Sequence, residues 1–271
     1  MIPNYTVVDI ENDNTNMYER NAGNFMYDKI VAVGFKSKTE HKAIYHTENH
    51  GDWSQHIAAD IQMLVGHNIK HDLLFLWKEP GIQALLQEGI SIWDTQVVEY
   101  ILSQYQVKYP KLRTIAVEKY GCPQRPKHID ELLFDIPEKM RVDYKQVSDI
   151  PKDLVLADVG DDVKDTEAVF LQQYDLIVKK NLLPVVQFEM NCLLGIIEME
   201  YNGFRIDREK LAKDKERLEQ GLDEANQELE ELVKIYWKEF RYQCKFNPSS
   251  THHVSLLFFG GKLPAEVDEV L

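Results

Sequence analysis

A short apolar run, Tyr5, Val7 and Val8, leads directly into Asp9-Ile10-Glu11. An apolar run of this length near the N-terminus reads as a buried strand. Residues i and i+2 of a strand share a face, so the two carboxylates project side by side from the end of that strand. Adjacent anions repel unless a cation lies between them, and hard oxygen ligands suit Mg²⁺ or Mn²⁺. Alone, the triplet equally describes two solvated surface acids, so its meaning depends on the rest of the chain.

The pattern downstream predicts an α/β fold. Lys29–Lys36 and Ala43–His46 read as strands that form an antiparallel meander with residues 5–9, with turn chemistry at Asn21-Ala22-Gly23-Asn24. After a polar stretch at Glu48–Trp53, helices are expected at Ser54–Met63, Lys70–Lys78 and Gly81–Gln87, with strands at Leu64–His67 and Ile90–Trp93. Asp94-Thr95 can cap a helix running to about Leu102. A meander followed by alternating strands and helices indicates a mixed sheet covered by helices. Residues 104–153, with five prolines, read as an irregular surface connection apart from a helix at Leu112–Tyr120. Three helices are expected beyond it: Leu154–Lys180, Val185–Tyr201 and Arg208–Phe240. The last carries leucines at 211, 218, 222, 229 and 232, the spacing of an amphipathic or paired helix.

Composition narrows the class of partner. The 271 residues carry a net charge of −14, with 20 Lys+Arg and 28 Asp+Glu in residues 1–184 and 11 and 17 in residues 185–271. The acid is spread over both parts, so any contact with nucleic acid must be local, through metals and a few basic side chains. No run of about 18 apolar residues suggests a membrane span, and the N-terminus has no secretory pattern. Three scattered cysteines (Cys122, Cys192, Cys244) argue against structural zinc or disulfides and for a reducing, cytoplasmic setting.

Two further segments carry candidate chemistry. In Gly66-His67-Asn68-Ile69-Lys70-His71-Asp72, Asn68 lies at a strand-to-helix junction and Asp72 one turn into the helix. In Asp158-Val159-Gly160-Asp161-Asp162-Val163-Lys164-Asp165, Asp158, Asp162 and Asp165 fall on one helical face. Like charges so spaced destabilise a helix unless they are compensated. His67 and His71 read as packing or solvated residues, because no other His or Cys lies nearby, and His252-His253 read as solvated.

Strand Asp-x-Glu, then Asn-x-x-x-Asp about 60 residues on, then a helical Asp after a long spacer, resembles the DEDD superfamily of 3′–5′ exonucleases. The resemblance implies a ribonuclease H-like mixed sheet flanked by helices and four carboxylates holding two divalent ions, Mg²⁺ or Mn²⁺. It places Asp9 and Glu11 in the first motif, Asn68 and Asp72 in the second and Asp162 in the third. Gly66-His67-Asn68 and Trp93-Asp94-Thr95-Gln96 look like the family's accessory segments. By the same resemblance, Asp9 bridges the two ions, Glu11 and Asp162 complete the nucleophile side, Asp72 supports the other, and Asn68 contacts the terminal nucleotide. The family carries Tyr or His before the last Asp to orient water; here Asp158 stands four residues ahead of Asp162, which adds it to the candidate catalytic set.

The C-terminal part resembles the thumb of a family A, phage-type DNA polymerase. Glu198–Asp207 matches the junction after the proofreading domain, and Phe246-Asn247-Pro248-Ser249-Ser250 with Leu256–Gly261 matches the start of the thumb. The implied division is an exonuclease domain at 1–184 and a helical thumb fragment at 185–271, ending before palm and fingers. A single-stranded or frayed DNA 3′ end is the implied substrate. The remaining polymerase portion, as a separate chain, is the implied partner, and the compartment is the cytoplasm, a host's if the chain is phage-encoded. Two rival expectations remain: a catalytically weak module that binds DNA or a polymerase, and a ribonuclease D-like RNA-processing nuclease.

Overall fold

In the computed structural model, which describes residues 2–13, 25–46, 52–126, 128–133, 146–239 and 246–260, the N-terminal apolar run forms β1 (Tyr5–Asn12). β2 (Ile30–Lys36) and β3 (His41–Tyr45) continue from it as the expected antiparallel meander. β4 (Met63–Gly66) and β5 (Ser91–Asp94) then add on the other side of β1, both parallel to their neighbours. The strand order is β3-β2-β1-β4-β5, a mixed five-stranded sheet of ribonuclease H-like form. Helices α1 (Ile69–Leu76), α2 (Pro80–Gln87), α3 (Thr95–Leu102), α4 (Leu112–Glu118), α5 (His128–Leu133), α6 (Lys152–Lys179) and α7 (Leu183–Asn202) accompany it. The turn expected at Asn21–Asn24 and most of the polar stretch from Glu48 lie outside the described residues.

Parallel pairing puts the carboxyl ends of β1, β4 and β5 on the same side, where ligands of open α/β sheets gather. β1 is apolar on both faces, with Tyr5, Val7, Val8 and Ile10 buried, as a strand covered on both sides must be. α6 crosses the sheet from β3 to β4. Its buried Val155, Val159, Val163, Phe170 and Ile177 follow helical spacing, each fully buried apolar side chain contributing about 1.5–3 kcal/mol. Gly34 on β2 makes the close crossing possible, since a Cβ there would lie 2.8 Å from Val159 O and 2.9 Å from Val163 Cγ1. α1 and α7 pack on each other, and α7 inserts Val186, Met190 and Ile197 into the main core. For that reason the first compact unit runs to Gly203.

Three local expectations need correction. The helix expected at Ser54–Met63 is a single 3₁₀ turn, Trp53–His56. Asp52 caps it by accepting from Ser54 N and also holds Gly81 N, and Ile57 is already extended. The chain must straighten there because Met63 pairs with Tyr5 in the sheet. The connection at 104–153 is less irregular than its prolines suggest: it holds α5 and a 3₁₀ turn at Val147–Asp149, whose Ile129, Leu133, Val147 and Ile150 form a second core with Val155 and Val159. His253, expected to be solvated, is buried in the C-terminal unit.

That second unit, Phe204–Leu271, contains α8 (Arg208–Glu239) and α9 (Thr251–Phe259). Val233 and Trp237 of α8 meet Leu256, with Leu229, Phe246 and Leu257 at the margin. His253 joins this cluster because its Nδ1 accepts a hydrogen bond from Asn247 N at 3.0 Å and its ring packs 5.2 Å from Trp237. Leu211, Leu218, Leu222 and Leu232 are exposed along α8. Among the described residues, no helix is long and apolar enough to cross a membrane.

Candidate metal centre

Asp9 and Glu11 project from β1 on one face, as i and i+2 spacing requires, and Asp162 of α6 comes down on them. Carboxylate oxygens of the three lie within 4.8 Å of one another, close enough for one cation to bind all three. The donor set is all hard oxygen, which fits Mg²⁺ or Mn²⁺ rather than a soft metal. Burial raises Asp9 well above the usual carboxylate range, and the nearby Asp72, Asp162 and Glu11 charges push it further. A divalent ion would reverse that penalty, because it favours the ionised form of every carboxylate it touches.

Asp72 enters from the first turn of α1 and is buried. Its Oδ1 accepts from Ile10 N at 2.9 Å, which fastens it to the peptide between Asp9 and Glu11. Burial again raises its pKa, although the Ile10 hydrogen bond works in the opposite direction. The structure therefore brings Asp9, Glu11 and Asp162 into one group, with Asp72 held beside it through the β1 backbone.

Asn68 sits at the start of α1 in the left-handed region (φ 60°), exposed, and its side chain makes no capping hydrogen bond. The cap expected of that side chain is replaced by a backbone arrangement: Asn68 N donates to Asp94 Oδ1 at 3.0 Å. Asp94 also caps α3, accepting from Gln96 N and Val97 N. Burial lifts its pKa to about 6 despite these bonds. Met190 of α7 meets Asp94 N from behind, with its Sδ at 3.2 Å.

The histidines of the second motif are tied into the surrounding structure by hydrogen bonds. His67 Nε2 lies 2.9 Å from Pro110 O and Nδ1 lies 2.8 Å from Thr95 Oγ1. His71 Nε2 meets Asn12 Oδ1 at 2.9 Å. Burial lowers both rings to about 4, so they are neutral near pH 7.

The acidic run on α6 divides among different neighbours. Arg125 Nε donates to Asp165 Oδ1 at 3.0 Å, and its Nη1 donates to Asp161 Oδ1 at 3.3 Å, where Lys164 also pairs. Asp158 is buried, and its Oδ2 accepts from Ile129 N at 2.7 Å, near the start of α5. These contacts supply the compensation that an acidic helix face needs. Only Asp162 of the run joins Asp9 and Glu11 in the ligand group. Sequence reasoning missed Arg125; the only hint was a basic residue in the proline-rich connection.

No protein-family model and no curated protein sequence matches the chain. Among solved structures it is similar to Brucella melitensis NrnC, at 10% identity and a TM-score of 0.49, over 73% of this chain and 86% of that one. The catalytic core of RRP6 from Trypanosoma brucei (mutant C496S) is 15% identical with a TM-score of 0.41, over 70% of this chain and 46% of that one. The family B DNA polymerase of the hyperthermophilic archaeon Pyrobaculum calidifontis is 18% identical with a TM-score of 0.41, over 64% of this chain and 24% of that one.

Proposed function

We propose that this chain is a divalent-metal-dependent 3′–5′ exonuclease acting on the 3′ end of a DNA strand. The observation that carries the reading is the convergence of Asp9, Glu11 and Asp162, from a strand and a helix remote in sequence, to within 4.8 Å. Scattered surface acids have no reason to meet in this way, and burial together with the Asp72, Asp162 and Glu11 charges raises Asp9. Asp72, held on Ile10 N, is the natural ligand for a second position shared with Asp9.

Bound divalent metal would supply charge stabilisation at the attacking and leaving oxygens of an in-line displacement. The chain's own residues fix the geometry. Asp9 and Glu11 are set by strand pleat, Asp162 by the close crossing of α6 over Gly34, and Asp72 by its backbone hydrogen bond. Asn68, exposed at the carboxyl end of β4, would contact the terminal nucleotide, as the resemblance implies. Asp158, by its bond to Ile129 N, acts at this site by holding α6 against α5.

The finer assignment, the proofreading part of a phage-type family A DNA polymerase with a thumb fragment, rests on the motif order from Asp9 to Gly261. It implies a partner chain carrying palm and fingers and places the protein in the cytoplasm. One observation favours a slower enzyme or a binding module: the position where the resembled family orients water holds a carboxylate bonded to a backbone N–H.

Digestion of 5′-labelled single-stranded DNA and RNA of equal sequence, with Mg²⁺ or Mn²⁺, tests the reading. Stepwise shortening from the 3′ end, lost in Asp9→Ala, supports it. No cleavage of either strand at any metal concentration would overturn it, and faster RNA cleavage would favour an RNA-processing role.

A further inference from the structure

We propose that the loop between α3 and α4 is a contact site for single-stranded nucleic acid, with Tyr109 as a base-stacking platform and Lys108 and Lys111 as phosphate contacts. The proposal deepens the nuclease reading and rests on it for the direction in which the strand runs.

The loop stands out first by charge. The chain contains 45 acidic residues, yet none lies between Glu99 and Glu118, while Lys108, Lys111 and Arg113 fall within that interval. In an acidic protein this is the local basic stretch that contact with a polyanion requires. Lys108 and Lys111 are exposed, and no ion pair is formed by either among the described residues.

The aromatic side chains are unusual as well. Tyr109 is 82% exposed, so its ring buries almost nothing and contributes little to folding. Its φ of 49° is left-handed, costly for a bulky residue and disfavoured before a proline. Gln104 and Tyr105 are also left-handed, and Tyr105 packs edge-on against Tyr100 with ring centroids 5.0 Å apart. Such a backbone is maintained only where surrounding bonds enforce it.

Those bonds lead to the candidate site. Pro110 O accepts from His67 Nε2 at 2.9 Å and from Gln96 Nε2 at 3.2 Å. His67 adjoins Asn68, and Gln96 lies in the first turn of α3, whose cap Asp94 holds Asn68 N. The loop therefore returns from the far end of α3 to the carboxyl ends of β4 and β5, and it presents Tyr109 one residue from that anchor. A strand whose 3′ terminus lies by Asn68 would extend toward an exposed ring, next to an anchored backbone and flanked by two lysines. Every base has a face that can stack, so this contact would tolerate any sequence.

Fluorescence anisotropy of a 5′-fluorescein-labelled 12-nucleotide oligothymidylate, with Ca²⁺ in place of a catalytic ion, tests the proposal. Tyr109→Ala is expected to weaken binding about tenfold, the effect of losing one base–aromatic stack, and Tyr109→Phe to stay within about twofold. Lys108→Ala with Lys111→Ala should weaken binding and flatten its salt dependence. Unchanged thermal unfolding of each variant confirms that the fold is retained; the exposure of all three side chains predicts this. Equal binding by wild type and Tyr109→Ala, or no binding by wild type, overturns the proposal. Cleavage of the same oligonucleotide by wild type is scored separately. Binding through Tyr109 without cleavage would sink the nuclease reading alone, and cleavage with Tyr109-independent binding would sink this proposal alone.

Discussion

Gly34 stands directly across the β1–β2 ladder from Asp9, and a Cβ on it would lie 2.8 Å from the Val159 carbonyl of α6. One residue without a side chain thus sets the distance between the strand that carries Asp9 and Glu11 and the helix that carries Asp162. The consequence is testable because the site and the packing depend on the same gap.

Gly34→Ala should push α6 away, because its Cβ would meet a backbone oxygen at 2.8 Å, which cannot rotate aside. Overpacking of this kind costs about 1–3 kcal/mol, readable by urea unfolding. Nuclease rate should fall about tenfold or more, since displacement of a positioned ligand by a fraction of an ångström is amplified in the transition state. A fully active Gly34→Ala protein would show that the spacing of β2 and α6 does not govern the site.

Asp162→Asn should raise the stability of the metal-free protein while removing its response to metal. Asp9, Glu11 and Asp162 lie together, and Asp9 is raised by burial first and then by the Asp72, Asp162 and Glu11 charges. Removing one charge relieves the repulsion among them. Thermal unfolding with and without Mn²⁺ checks both parts. Wild type should gain several degrees with metal by ligand linkage, and the variant should start higher and gain little. A variant that starts lower and still responds to Mn²⁺ would remove Asp162 from the ligand set.

Asp158 separates a positioning role from a chemical one. Asp158→Ala deletes the acceptor for Ile129 N and should cost about 1–2 kcal/mol, as lost caps and buried hydrogen bonds do. Asp158→Asn keeps an amide oxygen there, so both stability and cleavage rate should stay within a few-fold of wild type. A loss of about 10²–10⁴ in rate with normal stability would instead identify Asp158 as the group that orients water.

The parts of this protein that were legible in the sequence are those governed by short-range periodicity. Apolar runs gave the strands, i and i+2 spacing put Asp9 and Glu11 together, and the valines of α6 gave its buried face. What escaped was decided by partners distant in sequence. Whether Asp158, Asp161, Asp162 and Asp165 act as one face depends on Arg125 and Ile129 N, which approach from the connection before α6. The extended Ile57 follows from sheet pairing of Met63, and the burial of His253 follows from Asn247 and Trp237. Exposure of Tyr109 could not be inferred from its type, because tyrosines are as often buried.

His67 supplies a pH dependence whose sign can be worked out. Pro110 O can only accept, so Nε2 carries the ring proton, and Nδ1 lies 2.8 Å from the Thr95 hydroxyl, which also donates to Gly66 O at 3.2 Å. A second proton on Nδ1 would place a charge in a buried site, and burial holds the folded pKa at about 4 against 6.5 for a free histidine. Between these values the unfolded chain binds more protons than the folded one, so the contribution of His67 is complete above pH 6.5 and is lost as pH falls toward 4. Asp94, raised to about 6, pulls in the opposite direction over much of the same range and obscures the effect in wild type alone. Comparison with His67→Gln cancels Asp94, which is common to both proteins. The variant should melt several degrees below wild type at pH 7.5, and the gap should close between pH 6.5 and pH 4. A gap that stays constant across a thermal-unfolding series from pH 4 to pH 8 would mean that His67 is not held neutral in the folded protein.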